Sequence, residues 1–254
     1  MQVRVPDLAG LEDHGVLDAP SIQEISVEIH RRATREQLDA LLAALACKSA
    51  VFAALLEPAA LAAADEAALR RLLGGVFATR RRPSAVLGTE PAGVLAQRIE
   101  ALLRGPEQLP DRFDAFCAAL PLDPLHAADL AAELLHFSAP DVHPLWARWI
   151  YNPDTRTGAL PLLLGDDVDL EAEGLGATYL RVSAASRLLD GAPEVAGLHD
   201  GRGDAFAADV FLVGAYSVYM STVLGLKMTQ EFNAIVPALP ELARRLLGVH
   251  RMEL

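Results

Sequence analysis

Alanine- and leucine-rich stretches with helical spacing, closed by proline and glycine, most constrain how this chain can fold. Thr34 and Gln37 have the spacing of a capping box, which starts a helix by binding free backbone N–H groups. Apolar side chains follow at the spacing of one helix face, namely Leu38, Leu41, Leu42, Leu45, Phe52, Leu55 and Leu56. Pro58 ends or kinks this helix. The pattern predicts an all-α, multi-helix globular bundle.

The same signals recur along most of the chain. They predict further helices at about 59–73, 91–104, 113–120, 124–137, 140–150, 177–189, 205–224 and 240–247. The stretch 205–224 is the most apolar, so we expect about nine helices packed around it.

The N-terminal region is ambiguous. Residues 24–30 alternate apolar and polar side chains with a period of two, which fits one short N-terminal strand pair. Ile22, Ile25 and Ile29 fit a helix face equally well. We expect an irregular arm over 1–20 and one helical domain over 21–254, with a soft boundary near 105–112 as the alternative.

Charge limits the function classes. The 254 residues carry a net charge of −12, and a field of that sign opposes binding to nucleic acid and to anionic membranes. The longest apolar run, 205–226, contains Asp209 and small polar residues, so it predicts a buried helix rather than a membrane span. The N-terminus shows no signal sequence pattern. We therefore expect a cytoplasmic protein that binds neither membrane nor nucleic acid.

Cofactor motifs are missing from the sequence. Cys47 and Cys117 are far apart and form no CxxC pair, so neither a zinc knuckle nor a redox pair is indicated. No cofactor is predicted on this basis.

Both tryptophans lie in one proline-bounded segment, residues 134–160. Such rings anchor either a hydrophobic core or a recognition surface, so burial of Trp146, Trp149 and Ile150 on one face is the alternative to a surface role. We predict a partner-binding surface formed by Trp146, Arg148, Trp149, Tyr151 and Arg156. The resulting hypothesis is a helical interaction or accessory protein that binds a protein partner, with self-association through alanine-rich helices as a further expectation.

One helix face carries potential metal ligands. His126, Asp129, Glu133 and His136 recur at helical spacing, and Glu-x-x-His is the ligand pair of di-iron helix bundles. Such a centre needs a second Glu-x-x-His and two further glutamates, and the sequence has no second copy. No metal is predicted, but these four residues are the candidates, and a helical metal-binding enzyme is an alternative function.

Residues 135–146 are similar to a short stretch of helix-hairpin-helix proteins related to DNA glycosylases. The resemblance implies an all-helical DNA-processing enzyme, which is our second alternative. The chain departs from that pattern because Ala147 and Arg148 follow Trp146 where an aspartate is expected.

Three further short motifs are ambiguous. Residues 201–206 resemble the G-x-G-D signature of ribokinase-like sugar kinases, although a glycine loop with Asp204 as a helix cap explains them equally. Residues 166–171 resemble the aspartate-rich motif of isoprenoid synthases, which binds Mg²⁺. Residues 80–82 form the only dense basic cluster and suit either phosphate or a solvated loop.

Overall fold

The computed structural model describes residues 16–198, 205–227 and 237–250. Within these ranges the chain forms twelve α-helices, which confirms the all-α, multi-helix class. They are α1 Ala19–Arg32, α2 Arg35–Leu55, α3 Pro58–Ala62, α4 Glu66–Gly74, α5 Ser84–Leu87, α6 Ala92–Arg104, α7 Leu109–Ala119, α8 Pro124–Ser138, α9 Leu175–Asp190, α10 Pro193–Ala196, α11 Ala207–Lys227 and α12 Leu239–Leu246. A single 3-10 turn, Leu160–Leu162, lies between α8 and α9.

The expected N-terminal strand pair is absent from the described residues. The ambiguous stretch is helix α1, which buries Ile22 and Ile29 and packs against α11. These two side chains are two helical turns apart, so the helical face was the correct interpretation. Only an isolated bridge, between Leu17 and Leu164, links the segment before α1 to a loop.

Helix α11 lies at the centre of the described fold, as expected, and α8 is a second buried helix. Every residue from Ala127 to Phe137 is buried, and α8 packs against α2, α6 and α7. Helix α11 is buried over Ala207–Ala215 and packs against α1, α2, α9, α10 and α12. A helix that is buried on all sides must find partners for any polar side chain it carries.

The capping box is confirmed at the start of α2. The Thr34 side chain accepts the Gln37 N–H, and the Gln37 side chain accepts the Thr34 N–H at 2.9 Å. The single helix predicted at 59–73 is instead split into α3 and α4, because Asp65 caps a new helix by accepting the Ala68 N–H at 2.8 Å.

The prediction of a helix at 140–150 is wrong. This stretch is a chain of turns between α8 and the 3-10 turn. Pro140 and Pro144 disfavour helical backbone at the residues before them, which prevents a regular helix. The Trp146 indole N–H instead donates to the Tyr151 carbonyl at 2.9 Å and closes the segment on itself.

Helix α2 is the one helix in the described part that is long and apolar enough to cross a membrane by length and composition. Core helices share this property. In the fold, α2 contributes Leu38, Leu41 and Phe52 to the hydrophobic core.

Close packing of α9 on α7 gives a stability prediction. A Cβ atom at Gly176 would lie 2.2 Å from the Pro110 carbonyl oxygen, whereas one at Gly93 would meet nothing within 4 Å. We expect Gly176→Ala to lower the free energy of unfolding by about 1–3 kcal/mol. Gly93→Ala, the matched control at an exposed position of α6, should raise it by up to about 1 kcal/mol. Urea denaturation measures both, and equal midpoints would contradict the close α7–α9 contact.

Candidate functional site

Three ionisable side chains of α8 lie inside the protein. Asp129, Glu133 and His136 are 3%, 3% and 1% exposed. Their spacing places them on one helix face, one turn apart. Each binds a different segment of the chain, so this face of α8 organises the surrounding elements.

Glu133 forms a buried ion pair with Lys48 of α2. The Lys48 Nζ lies 2.6 Å from Glu133 Oε2 and also donates to the Leu247 carbonyl at 2.9 Å. The other carboxylate oxygen accepts the Phe77 N–H at 3.0 Å. Burial lowers the pKa of Lys48, and the Glu133 carboxylate opposes that effect. The pair therefore joins α2, α8, the α4–α5 connection and the end of α12.

His136 connects the next turn of α8 to two other segments. Its Nδ1 lies 2.7 Å from the His143 carbonyl, which can only accept, so Nδ1 carries a proton. Its Nε2 lies 2.9 Å from Asp209 Oδ2 of α11, at ion-pair distance but without hydrogen-bond geometry. Burial opposes the charged ring, but the Asp209 carboxylate outweighs it and raises the pKa of His136.

Asp129 holds the turn that carries Arg148. Its two carboxylate oxygens accept the Arg148 backbone N–H at 2.9 Å and the Arg148 Nε–H at 2.8 Å. Burial raises the pKa of Asp129 to about 7, and Arg148 opposes that rise.

The predicted partner surface is divided between core and surface. Trp146, Trp149 and Tyr151 are 2%, 6% and 3% exposed, so these rings pack in the core rather than on the expected surface. The reason is the large apolar area of each ring, which the turns of this segment place against α7 and α11: Trp146 stacks on Phe113. The partner-binding role of the segment stays a prediction for its arginines.

The two arginines of that segment reach solvent. The Arg148 side chain is 29% exposed and pairs with Asp129. The Arg156 side chain is 71% exposed and pairs with Glu171. Arg156 has a positive φ of 54°, in a turn closed by the bridge between Asn152 and Thr157.

The metal candidates do not converge on a point. Asp129, Glu133 and His136 each face a separate partner, and His126 is at the surface, 3.3 Å from Asp123. In the described part of the chain, no group of three or more His, Cys, Asp or Glu side chains is placed to hold a metal ion.

The structure describes one of the other short motifs fully and another only in part. Residues 166–171 form a loop in which Asp169 accepts the Glu171 N–H and Glu171 binds Arg156. Residues 201–204 of the kinase-like glycine motif, which include Asp204 as its proposed cap, lie outside the described residues.

One cavity, which we call the basic pocket, is lined by several positively charged side chains. Its volume is about 740 Å³. Its lining, which contains no Asp or Glu among the described residues, is Lys48, Val51, Phe52, Arg71, Gly74, Gly75, Arg80, Arg81, Arg245, Gly248 and His250. The whole chain carries 34 acidic and 22 basic residues, so this local excess of positive charge opposes the average.

Gly248 lets its own segment of the pocket wall approach the segment that contains Gly75. A Cβ atom at Gly248 would lie 2.6 Å from the Gly75 carbonyl oxygen and 3.0 Å from Lys48 Nζ. Gly248 also has a φ of +73°, a conformation that favours glycine. The Lys48–Glu133 pair therefore lies next to the point where the backbones of Gly75 and Gly248 approach closely.

Some of the positive groups have structural partners. Arg80 donates to the Arg245 carbonyl at 2.7 Å and lies 4.6 Å over the Phe77 ring. Arg245 pairs with Glu241. Arg71 and Arg81 are exposed and make no side-chain hydrogen bond or ion pair with the residues that the structure describes. These two guanidinium groups are therefore available to a ligand.

Sequence reasoning found this pocket only in part. The basic cluster 80–82 contributes Arg80 and Arg81. Arg71 and Arg245 were missed because they come from α4 and α12, and their proximity is created by the fold.

No known protein family, characterised protein or solved structure matches this chain.

The buried ion pair gives a second stability prediction. Removing one partner leaves the other buried and unpaired, which costs about 3–5 kcal/mol. We expect Lys48→Met and Glu133→Gln each to destabilise strongly, and the double variant to be less destabilised than their sum. The exposed pair Arg70 and Glu66 is the control, with a coupling below about 1 kcal/mol. Additive costs at Lys48 and Glu133 in urea denaturation would contradict the role of the pair.

The contact of His136 with Asp209 gives a pH prediction. Because the folded pKa of His136 is raised, its contribution to stability is present below about pH 6.5 and lost as pH rises through the folded pKa. An NMR titration of the His136 ring should show a pKa above 6.5, and Asp209→Asn should lower it. A ring that titrates at or below 6.5 in the native protein would contradict this assignment.

Proposed function

We propose that this protein binds a small, phosphate-bearing anion in the basic pocket. The observation that supports this proposal is a cavity lined by five Lys or Arg side chains and one His, with no acidic side chain among its described lining residues. Glu133 and Glu241 pair with Lys48 and Arg245, so Arg71 and Arg81 are the positive groups of the lining that a bound anion would pair with.

Helix ends account for only part of this charge. Lys48 and Arg80 bind carbonyls near the C-terminus of α12, where positive groups are favourable without a ligand. Arg71 and Arg81 have no such carbonyl partner in the described ranges. Guanidinium groups bind phosphate oxygens through paired N–H donors, which makes them the ligand-directed part of the pocket.

The shape of the pocket favours a small molecule. Its volume of about 740 Å³ lies within the range of about 300–1,000 Å³ typical of small-molecule sites. The apolar side chains Val51 and Phe52 form part of the wall, as is common where an organic ligand is enclosed. An extended polyanion would meet the acidic field of the remaining surface.

The turn that carries Arg156 supports the protein-partner hypothesis as a second candidate function. Arg156 is exposed and has a positive φ, a backbone conformation that is uncommon outside glycine and clusters at functional positions. Loss of a co-purifying protein partner in Arg156→Gln, with circular dichroism unchanged, would support this candidate. Retention of the partner would contradict it.

Adjacent arginine pairs test the basic pocket. Arg71→Gln and Arg81→Gln each remove a pocket guanidinium, while Arg70→Gln and Arg82→Gln remove the neighbouring exposed charge outside the pocket lining. We expect calorimetry with pyrophosphate to show roughly three- to tenfold weaker binding for the first two variants, because each loses a charge-assisted contact. The affinity of the two control variants for pyrophosphate should stay within about twofold of the native value. Exposed charges that do not contact the ligand contribute little to its binding.

Salt separates site binding from diffuse attraction. Affinity should fall as salt rises, because exposed groups are screened, but the difference between pocket and control variants should persist. Pyrophosphate that does not bind the native protein, or that binds all four variants equally weakly, would contradict the proposal.

A further inference from the structure

A second cavity, which we call the aromatic pocket, has a volume of about 280 Å³. Phe77, Trp149, Tyr216 and Tyr219 supply aromatic rings to its lining. The Trp149 and Tyr216 rings are 6.1 Å apart between centroids, and those of Tyr216 and Tyr219 are 6.3 Å apart. Its size suits one ring system rather than a whole drug-sized ligand.

Hydrogen-bonding groups accompany the rings. Arg148 and Asn152 also line the aromatic pocket. Arg148 uses its backbone N–H and Nε–H on Asp129, and its terminal nitrogens make no hydrogen bond within the described residues. A planar ligand with an aromatic face and polar edges matches this combination, and nucleobases are recognised in this way.

The aromatic pocket and the basic pocket are neighbours. Arg80 lines the basic pocket and lies 4.6 Å over Phe77, which lines the aromatic pocket. Arg245 and Leu246 are adjacent in sequence and line one pocket each.

Helix α8 carries one carboxylate next to each pocket. Glu133 binds Lys48 of the basic pocket, and Asp129 lies in the aromatic pocket. Four residues of α8 separate the two carboxylates, which is about 6 Å along the helix axis.

We propose that the ligand is a free nucleotide, with its phosphate in the basic pocket and its base between the rings of the aromatic pocket. This inference rests on the proposed function and adds the chemical class of the ligand. A nucleic acid strand is disfavoured because its further phosphates would meet the acidic surface.

The test compares ligands that differ only in the base. Calorimetry with ribose 5-phosphate and with the four common nucleoside 5′-monophosphates separates the contribution of the base from that of the phosphate. We expect at least one nucleotide to bind tenfold or more tightly than ribose 5-phosphate, because stacking of a base on aromatic side chains contributes an effect of that size.

Variants test whether the aromatic pocket supplies the additional affinity of a nucleotide over ribose 5-phosphate. Tyr219→Leu removes a half-buried ring while keeping apolar bulk, and should reduce nucleotide affinity toward that of ribose 5-phosphate without changing ribose 5-phosphate binding. Met220→Leu, on the same helix but outside the pocket lining, is the control and should change neither. Arg71→Gln should weaken both ligands by the same factor.

Each contrary outcome identifies what fails. Equal affinity of all four nucleotides and ribose 5-phosphate would overturn the nucleotide assignment and leave anion binding intact. An oligonucleotide that binds more tightly than its mononucleotides would also overturn it. If the native protein does not bind pyrophosphate, the proposed function itself is overturned.

Discussion

The buried ion pair of Lys48 with Glu133 is the interaction on which the rest of the structure depends. Two charges inside a helical core are stable only when each has its partners, because desolvation costs several kcal/mol per ion. Here Glu133 accepts from Lys48 and from the Phe77 N–H, and Lys48 also binds the Leu247 carbonyl. The pair therefore fixes three separate segments relative to α8. Those segments form the walls of the basic pocket.

Three buried ionisable side chains of α8 each have a partner in another segment of the chain. Asp129 fixes the turn that carries Arg148, Glu133 fixes the pocket wall, and His136 fixes α11 through Asp209. An apolar α8 would pack equally well, since replacing a buried ion pair with hydrophobic residues is often neutral for stability. Buried charges specify which segments meet, and this arrangement brings two pockets to one side of α8.

Helices could be predicted from the sequence where the signals are local. The capping box of Thr34 with Gln37 and the leucine spacing after it act within one or two turns, so they place α2 correctly. The turns at 140–150 were misassigned because the aromatic and apolar residues there outweighed Pro140 and Pro144. Trp146 and Trp149 were predicted to form part of a partner surface, but both are buried. Burial depends on the tertiary fold, so a local concentration of aromatic residues does not decide it.

The site was less predictable than the fold for the same reason. His126, Asp129, Glu133 and His136 do follow helical spacing, but only three of them are buried, and partners from α2, α11 and the turn at Arg148 occupy those three. Sequence spacing identifies the face, whereas the partners are far away in the chain. The basic pocket assembles side chains of α2, α4, α12 and the 80–82 cluster, and no linear motif could reveal that.

Backbone amide NMR during a pyrophosphate titration tests the central claim most directly. Gly74, Gly75 and Gly248 line the basic pocket, so their amide signals should shift most and saturate together. Arg31 and Arg35 belong to a different surface, near α1 and the start of α2, and their amides should remain unchanged. Shifts that are largest at these outlying arginines, or spread evenly over all arginines, would show that anions do not occupy the basic pocket.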